Sequence, residues 1–244
     1  MRTIAGALCI AGTLAPLLAE GPAEQLAQIT STQRLNFAPN GTVRVDKSWG
    51  DLHIEGWDQP LVEVAVVKST SYSDDAARLK EKAAPKLDTI KVLAERRSDS
   101  ELTISTTRAT RANWVPPFSK TTRNGVHLEY IIHVPKLSHL VVNHRGGSVE
   151  VANITGEIEV ANRDGDILLM LPASGAYAID ARSNMGHIAS DFEGRTVSRY
   201  LVGQRFSSAS SPGSHRIHLR AGFWGITILA LPPDGELLSA AGVE

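Results

Sequence analysis

Three things are scarce in this sequence, and each scarcity excludes a class of protein. The only cysteine, Cys9, lies near the N-terminus, so the rest of the chain forms no disulfide and carries out no thiol chemistry. Lysine and arginine number 25 against 26 aspartate and glutamate, a balance that argues against a nucleic-acid-binding surface, which shows a basic excess. After residue 19 no apolar run is long enough to cross a membrane.

The first 19 residues differ in kind from the rest of the chain. Arg2 gives a short positive start, and the stretch from Thr3 to Ala19 has no charge and is rich in alanine, leucine and isoleucine. This pattern predicts a secretory signal peptide over residues 1–19, with cleavage as late as residue 23. We therefore expect an exported protein, periplasmic, cell-surface or extracellular, with no transmembrane segment in the mature chain.

A short phrase recurs three times between Gly146 and Pro172. In each copy a glycine is followed by apolar residues two and four places later, and the glycines lie nine residues apart. A period of two predicts a short strand with one buried face. Two nine-residue steps make one flattened coil, with the apolar residues of one strand facing those of the next. The three copies are Gly147, Val149 and Val151; Gly156, Ile158 and Val160; and Gly165, Ile167 and Leu169.

The same nine-residue step separates Gly41 from Gly50, and weaker copies begin at Gly175 and Gly186. Residues 71–84 begin with a helix-capping pattern and predict one short surface helix, whereas residues 195–214 are poorly patterned. We expect a lead-in over residues 20–39, a single β-repeat domain over 40–231, and a loose tail over 232–244. Further strands are predicted at 61–68, 87–95, 101–107, 126–134 and 217–228.

The alternation fits two all-β arrangements. One is a β-solenoid-like stack of short strands spaced by glycines, with parallel neighbours. The other is an antiparallel β-sandwich or meander, which keeps the same pattern of buried faces. Period alone does not distinguish them.

Three features in a fixed order resemble a known group of proteins. An early strand pair, Val43–Val45 and Gly50–Trp57, comes first; the run Tyr130–Pro135 follows; and the glycine-spaced strands come last. Together, from about residue 40 to about residue 230, they resemble the bacterial putative-adhesin, β-strand-repeat family, a domain of unknown function. The resemblance implies a right-handed β-solenoid-like fold and export to the cell envelope or beyond, and it brings no catalytic residues.

The stretch from residue 108 to residue 123 is the longest irregular segment before the central repeat, and it predicts an exposed loop. Arginine and tryptophan are common anchors at recognition surfaces, so one hypothesis is that this loop binds an anionic envelope polymer or a lipid headgroup. The alternative is a solvated loop with its tryptophan packed on the core. The candidate binding residues are Arg108, Arg111, Trp114, Phe118, Lys120 and Arg123.

Neither a metal site nor a cofactor site is indicated. His215 and His218 are three apart on a predicted strand, so they point to opposite faces and cannot clamp one ion together. The segment from Asn162 to Asp166 lacks the spacing of a calcium loop and predicts a turn. We therefore expect no cofactor and no metal.

An enzyme would need a pair of acid and base groups. Three outward-facing glutamates could line the groove of a carbohydrate-active β-helix enzyme, but their spacing marks out no such pair, and charges on exposed strands also protect sheet edges. These glutamates are Glu150, Glu157 and Glu159.

The sequence thus predicts an exported, non-enzymatic cell-envelope protein with an adhesin-like binding or structural role. Its alternatives are a carbohydrate-active β-helix enzyme and an accessory sensor of envelope stress. The expected partner is an envelope polysaccharide or a surface protein rather than a nucleic acid, and an exposed end strand could pair with a second copy.

Overall fold

The computed structural model describes residues 27–70, 87–108, 122–123, 126–199 and 202–232, and helix is confined within them to residues 87–88. The predicted signal peptide and the predicted surface helix lie outside the described residues, as does almost all of the tail. Among the described residues no helix has the length and hydrophobicity needed to span a membrane. The all-β prediction is confirmed.

The strands are β1 (Ala27–Asn36), β2 (Thr42–Ser48), β3 (Asp51–Trp57), β4 (Leu61–Thr70), β5 (Ile90–Ser98), β6 (Glu101–Arg108), β7 (Thr122–Arg123), β8 (Val126–Pro135), β9 (His139–His144), β10 (Val149–Ala152), β11 (Ile158–Asn162), β12 (Ile167–Pro172), β13 (Tyr177–Ser183), β14 (Ile188–Ser190), β15 (Gly194–Arg199), β16 (Gly203–Ser208), β17 (His215–Ala221) and β18 (Ile226–Leu231).

These strands form two open, mixed sheets. Sheet 1 has the order β1-β4-β8-β3-β10-β12-β18-β14, with β7 beside β8, and sheet 2 has the order β15-β16-β13-β17-β11-β9-β2-β6-β5. The buried side chains of both sheets join in one hydrophobic core. The two sheets therefore pack as layers around a shared interior.

Consecutive strands of the repeat alternate between the sheets. β9 lies in sheet 2, β10 in sheet 1, β11 in sheet 2 and β12 in sheet 1, and the neighbours within each sheet are parallel. One nine-residue step is therefore half of a two-strand layer, as the flattened coil requires. The layers do not stack in chain order, because the β17–β18 layer lies between β11–β12 and β13–β14.

The pairing becomes antiparallel at the ends of the stack. β1, β4 and β8 are antiparallel neighbours in sheet 1, and in sheet 2 β5 pairs with β6 and β16 pairs with both β13 and β15 in the same sense. A parallel centre with antiparallel ends fits a sandwich-like description as well as a solenoid-like one. Such ends give a repeat stack boundaries that differ from its interior.

The core follows the predicted alternation most closely in β8. Its five alternate apolar residues from Val126 to Val134 are fully buried. At the centre, Tyr130 of sheet 1 hydrogen-bonds through its hydroxyl to Oγ1 of Thr106 in sheet 2 at 2.7 Å. Burial raises the pKa of this tyrosine to about 12, so the hydroxyl stays neutral and the bond joins the sheets at any ordinary pH.

Two regions with weak sequence patterns contain strands that were not predicted. β1 lies in the stretch predicted as a lead-in, and its residues 28–34 are all exposed. β15 and β16 form a hairpin inside the poorly patterned stretch, where Phe206 is the buried residue. A strand that buries no side chain, or only one, gives little alternation in its sequence.

Three glycines sit at equivalent corners where the chain passes from sheet 2 to sheet 1. Gly50, Gly147 and Gly165 have φ of +102°, +109° and +143°, values that side chains rarely adopt. A Cβ on Gly147 would overlap the carbonyl oxygen of Gly50, and one on Gly165 would overlap that of Gly147. The turns therefore stack backbone on backbone, and only glycine fits.

Buried polar side chains at the ends of the sheet 2 strands hold these corners. Asn162 donates from Nδ2 to the carbonyls of Gly147 and Gly165, both at 2.9 Å. Its neighbour in register is His144, whose Nε2 lies 2.9 Å from the carbonyl of Gly50. Because buried carbonyls are costly without a donor, these side chains stabilise the turns. The segment from Asn162 to Asp166 is thus a turn, as predicted.

We expect Gly147→Ala to lower the free energy of unfolding by about 3 kcal/mol, since it adds a backbone clash to the strain of a positive φ. Gly213→Ala is the matched control: Gly213 also has a positive φ, +85°, but a Cβ at this position would meet nothing within 4 Å. That variant should lose only about 1 kcal/mol. Urea unfolding of both variants measures the difference, and equal losses would contradict backbone stacking.

The stability of the fold should fall as pH falls from 6.5 to 4. His144 is buried, and burial lowers its pKa from 6.5 to about 4. Nε2–H donates to the Gly50 carbonyl, so Nδ1 accepts from the Ser48 hydroxyl at 2.8 Å. The bond to Ser48 needs the neutral ring, because a protonated ring has no acceptor nitrogen. The unfolded chain binds the proton first, so stability is full above pH 6.5 and drops by about 3 kcal/mol by pH 4.

Denaturant titrations of the natural protein and of His144→Gln across this pH range check that expectation. The glutamine does not titrate, so the difference in unfolding free energy between the two proteins should shrink as the pH falls. Parallel pH profiles would show that His144 is not the responsible group.

Candidate functional site

A groove of about 550 Å³ crosses the outer face of sheet 2, where β13, β15, β16 and β17 lie side by side. Pockets with convergent polar groups are the usual places for ligands. We call this pocket the arginine groove. It is lined by Asp180, Arg182, Arg195, Val197, Arg205, Ser207, His218, Leu219 and Arg220.

The alternation of each strand places these side chains outward. In β17 Leu219 is fully buried, so its neighbours His218 and Arg220 face away from the core. In β13 Ala181 is fully buried, which turns the residues on either side of it, Asp180 and Arg182, to the same outer face. Because successive side chains of a strand point to opposite faces, a buried residue at every second position places the residues between on the solvent-exposed face.

The hairpin of β15 and β16 extends the same surface. Phe206 is buried in β16, and Arg205 and Ser207 on either side of it are exposed. β15 adds Arg195 and Val197, which is 45% exposed. Four strands therefore contribute side chains to one groove.

The strand register brings three arginines into a single line. Arg220 of β17 is the direct partner of Arg182 in β13, and Arg182 is the direct partner of Arg205 in β16. All three are exposed. Neighbouring strands lie about 4.8 Å apart, so these residues, which we call the arginine row, run straight across the strands.

The arginine row has little internal compensation. Asp180 is the one carboxylate among the described residues that line the groove, and it accepts a hydrogen bond from Nε of Arg205 at 2.8 Å. Arg220 donates from Nη2 to Nε2 of the His218 ring at 3.1 Å. Within the part of the chain that the structure describes, no carboxylate pairs with Arg182. Like charges directly opposite one another destabilise a sheet. The arginine row therefore lowers the stability of sheet 2, and the fold itself does not need it.

Acidic groups bound this positive strip on the β11 side. Glu159 of β11 is the direct partner of His218. Glu157, just before β11, accepts two hydrogen bonds from Arg216, at 2.9 and 3.3 Å, and this pairing holds the pKa of the carboxyl below its usual range. The outer face of sheet 2 therefore has a positive strip, the arginine row, beside a strip in which acidic and basic side chains lie together.

The outer face of sheet 1 has a different character. His53 lies 3.1 Å from Glu150, and His127 lies 3.4 Å from Asp51. The ring of His133 stacks on Trp57 with centroids 4.8 Å apart. Within the described ranges no three histidine, cysteine, aspartate or glutamate side chains come together as metal ligands would. This face pairs its histidines with carboxylates, whereas among the described residues only Arg205 of the arginine row has a carboxylate partner.

Most of the predicted binding loop lies outside the described residues. Arg108 ends β6 and Arg123 lies in β7; the other candidates, Arg111, Trp114, Phe118 and Lys120, fall in residues 109–121. The loop hypothesis therefore stays a prediction.

The three glutamates of the enzyme hypothesis do not all share one groove: Glu157 and Glu159 line a pocket together, and Glu150 lines a different one. Glu150 lies in β10 of sheet 1, whereas Glu157 and Glu159 belong to the β11 region of sheet 2. The idea that they line one cleft is wrong because consecutive repeats alternate between the sheets, so their outward faces point in opposite directions. His215 and His218 lie on opposite faces of β17, as predicted.

The arginine row was not predicted from the sequence because its members are far apart in the chain. Arg182 and Arg220 are separated by 38 positions, and they meet only because β17 stacks beside β13. The local signal was present, since each arginine alternates with buried residues, but nothing local fixes which strands become neighbours.

Comparison with known proteins shows a likeness of fold. No family model matches the chain, and no curated protein matches its sequence. A crystal structure of a putative cell adhesion protein from Clostridium sporogenes is similar, with a TM-score of 0.51 and 12% identity over 85% of this chain and 100% of that one. One of a putative adhesin from Bacteroides fragilis has a TM-score of 0.28 and 10% identity, over 82% and 97%. The first supports an adhesin-like fold alone.

Removing the central charge of the row should stabilise the protein. We expect Arg182→Thr to raise the free energy of unfolding by about 0.5 kcal/mol, because it relieves two like-charge contacts and suits a strand. The gain should shrink as salt is added. The control is Arg216→Thr, which removes an exposed arginine that has a carboxylate partner and should give no gain. Thermal unfolding of both variants tests this prediction. A lower free energy of unfolding for Arg182→Thr than for the natural protein would contradict the electrostatic account.

Proposed function

We propose that this protein is an exported, non-enzymatic, adhesin-like binding protein of the cell envelope, and that the arginine groove is its binding surface. The observation that carries the proposal is the arginine row, three arginines in register with a single carboxylate beside them, which is bonded to Arg205. The uncharged segment after Arg2 supports export. The fold likeness to a putative cell adhesion protein supports the adhesin-like role.

The finer view of the fold belongs to the same proposal. The parallel layers from β2–β3 to β13–β14 would form a right-handed, solenoid-like stack of the putative-adhesin, β-strand-repeat family, with antiparallel strands as its ends. In such a stack the inner faces hold the fold together and the outer faces are available for ligands. The arginine groove lies toward one end of it, where β15 closes sheet 2.

The groove suits binding better than catalysis. Guanidinium groups present paired N–H donors that match a carboxylate or phosphate in two parallel hydrogen bonds. Their strands fix their spacing before a ligand arrives, which lowers the entropy cost of binding. The two groups that could transfer a proton are engaged: Asp180 by Arg205, and the ring of His218 by Arg220. This arrangement supports recognition of an anion.

Fractionation and a binding assay test the proposal together. The full chain, expressed in the cells that produce it, should appear outside the cytoplasm without its first 19 to 23 residues. The mature protein should bind those cells, and the triple variant Arg182→Ser, Arg205→Ser, Arg220→Ser should bind at least about tenfold less. These three residues are exposed, so the variant should keep its fold.

A second triple variant, Arg108→Ser, Arg111→Ser, Arg123→Ser, compares the groove with the predicted loop. Weaker binding of this variant alone would move the binding surface to the loop and contradict the groove. Retention of the uncleaved chain in the cytoplasm would contradict export.

A further inference from the structure

We infer that the ligand of the arginine groove is a linear cell-surface polyanion, with one carboxylate or phosphate on each repeating unit, lying along the arginine row and across the strands. The inference rests on the proposed function, since it names the ligand of that same surface. Its basis is the shape of the positive charge together with the groups that border it.

The charge is arranged as a line. Arg220, Arg182 and Arg205 occupy consecutive strands at the same register position, so the backbones that carry the three guanidinium groups follow one another at strand spacing, about 4.8 Å. A single small anion would bind one or two of these guanidinium groups, and the charge of the third would stay without a counter-charge. A chain that carries successive negative charges neutralises all three arginines, so its binding free energy should be more favourable than that of a single small anion.

The borders of the row argue against a membrane surface. Glu159 and Glu157 lie on the same outer face, beyond β17. A flat anionic bilayer would meet Glu159 at the same time as the arginines, and this carboxylate would repel it and offset part of the attraction. Glu157 is already neutralised by Arg216. The lining of the groove, within the described residues, contains no large apolar side chain beyond Leu219, which is fully buried, and Val197. A narrow polymer can follow the positive strip alone.

The lining also argues against a nucleic acid. Single-stranded nucleic acids are held by large aromatic side chains on which the bases stack, and the described residues that line the arginine groove include no phenylalanine, tyrosine or tryptophan. The second row of the groove instead offers Ser207, Asp180 and Arg195, a hydroxyl, a carboxylate and a further guanidinium. Such groups suit the hydroxyls and anionic groups of a surface polymer.

The test is a chain-length series measured by calorimetry on the mature protein. The probes are oligogalacturonates of one to six units, which carry carboxylates, and glycerol phosphate oligomers of the same lengths, which carry phosphates. Affinity should rise steeply up to about three charges, one for each arginine of the row, and then level off. It should fall at least about tenfold between low and high salt. The series that binds identifies the anionic group.

Three variants locate the effect. Arg182→Ser should weaken binding of the three-unit probe at least about tenfold, and Arg182→Lys should restore part of the loss, because it keeps the charge but not the paired donors. Arg216→Ser is the matched control: an exposed arginine of the same face, already paired with Glu157. It should change the affinity less than about twofold.

Four outcomes would overturn the inference: affinity that is independent of chain length, equal loss in Arg182→Ser and Arg216→Ser, preference for anionic vesicles, and binding to neither oligomer series. If the protein binds cells but no oligomer, the identification of the ligand as a polyanion is wrong, and the proposed function stands. If it binds neither cells nor oligomers, the proposed function itself fails.

Discussion

The fold depends on the close stacking of turn on turn at the corner where sheet 2 passes into sheet 1. Gly50, Gly147 and Gly165 meet there with their backbones in contact, so no side chain can separate successive layers. Asn162 and His144 supply the hydrogen bonds that the crowded carbonyls need. The same corner continues into the layers of β17 and β13, where a Cβ on Gly222 would overlap the carbonyl oxygen of Arg163 and one on Gly186 that of Trp224. Features that rely on these strands being in line therefore depend on it.

The arginine row is one such feature. A slip of one residue in β13 or β16 would turn Arg182 or Arg205 toward the core and replace it with a buried residue such as Ala181 or Phe206. The same burial that stabilises the inner face therefore orients the charges of the outer face. Sheet 1 shows the contrast: its outward histidines lie beside carboxylates, as His53 does with Glu150, whereas Arg182 at the centre of the row has arginines as its partners on both sides.

Local pattern predicted the local structure. The strict alternation of β8 and the nine-residue glycine step indicated the strands, their buried faces and the two-strand layer, since each reflects burial within one segment. β1 and the β15–β16 hairpin bury too little to leave such a signal. The order of the layers is set by contacts between distant segments, so neither the groove nor the separation of Glu150 from Glu159 could be predicted. The basic loop stands out in the sequence because its charges are close together along the chain.

Photocrosslinking on intact cells tests most directly whether the arginine groove is the binding surface. A photoreactive side chain is placed at Ser207 in the groove, at Glu55 on the exposed outer face of sheet 1, or at Trp114 in the predicted loop. The account predicts that envelope material is captured from position 207 and not from position 55 or position 114. Capture from position 55 or 114 with none from position 207 would contradict it.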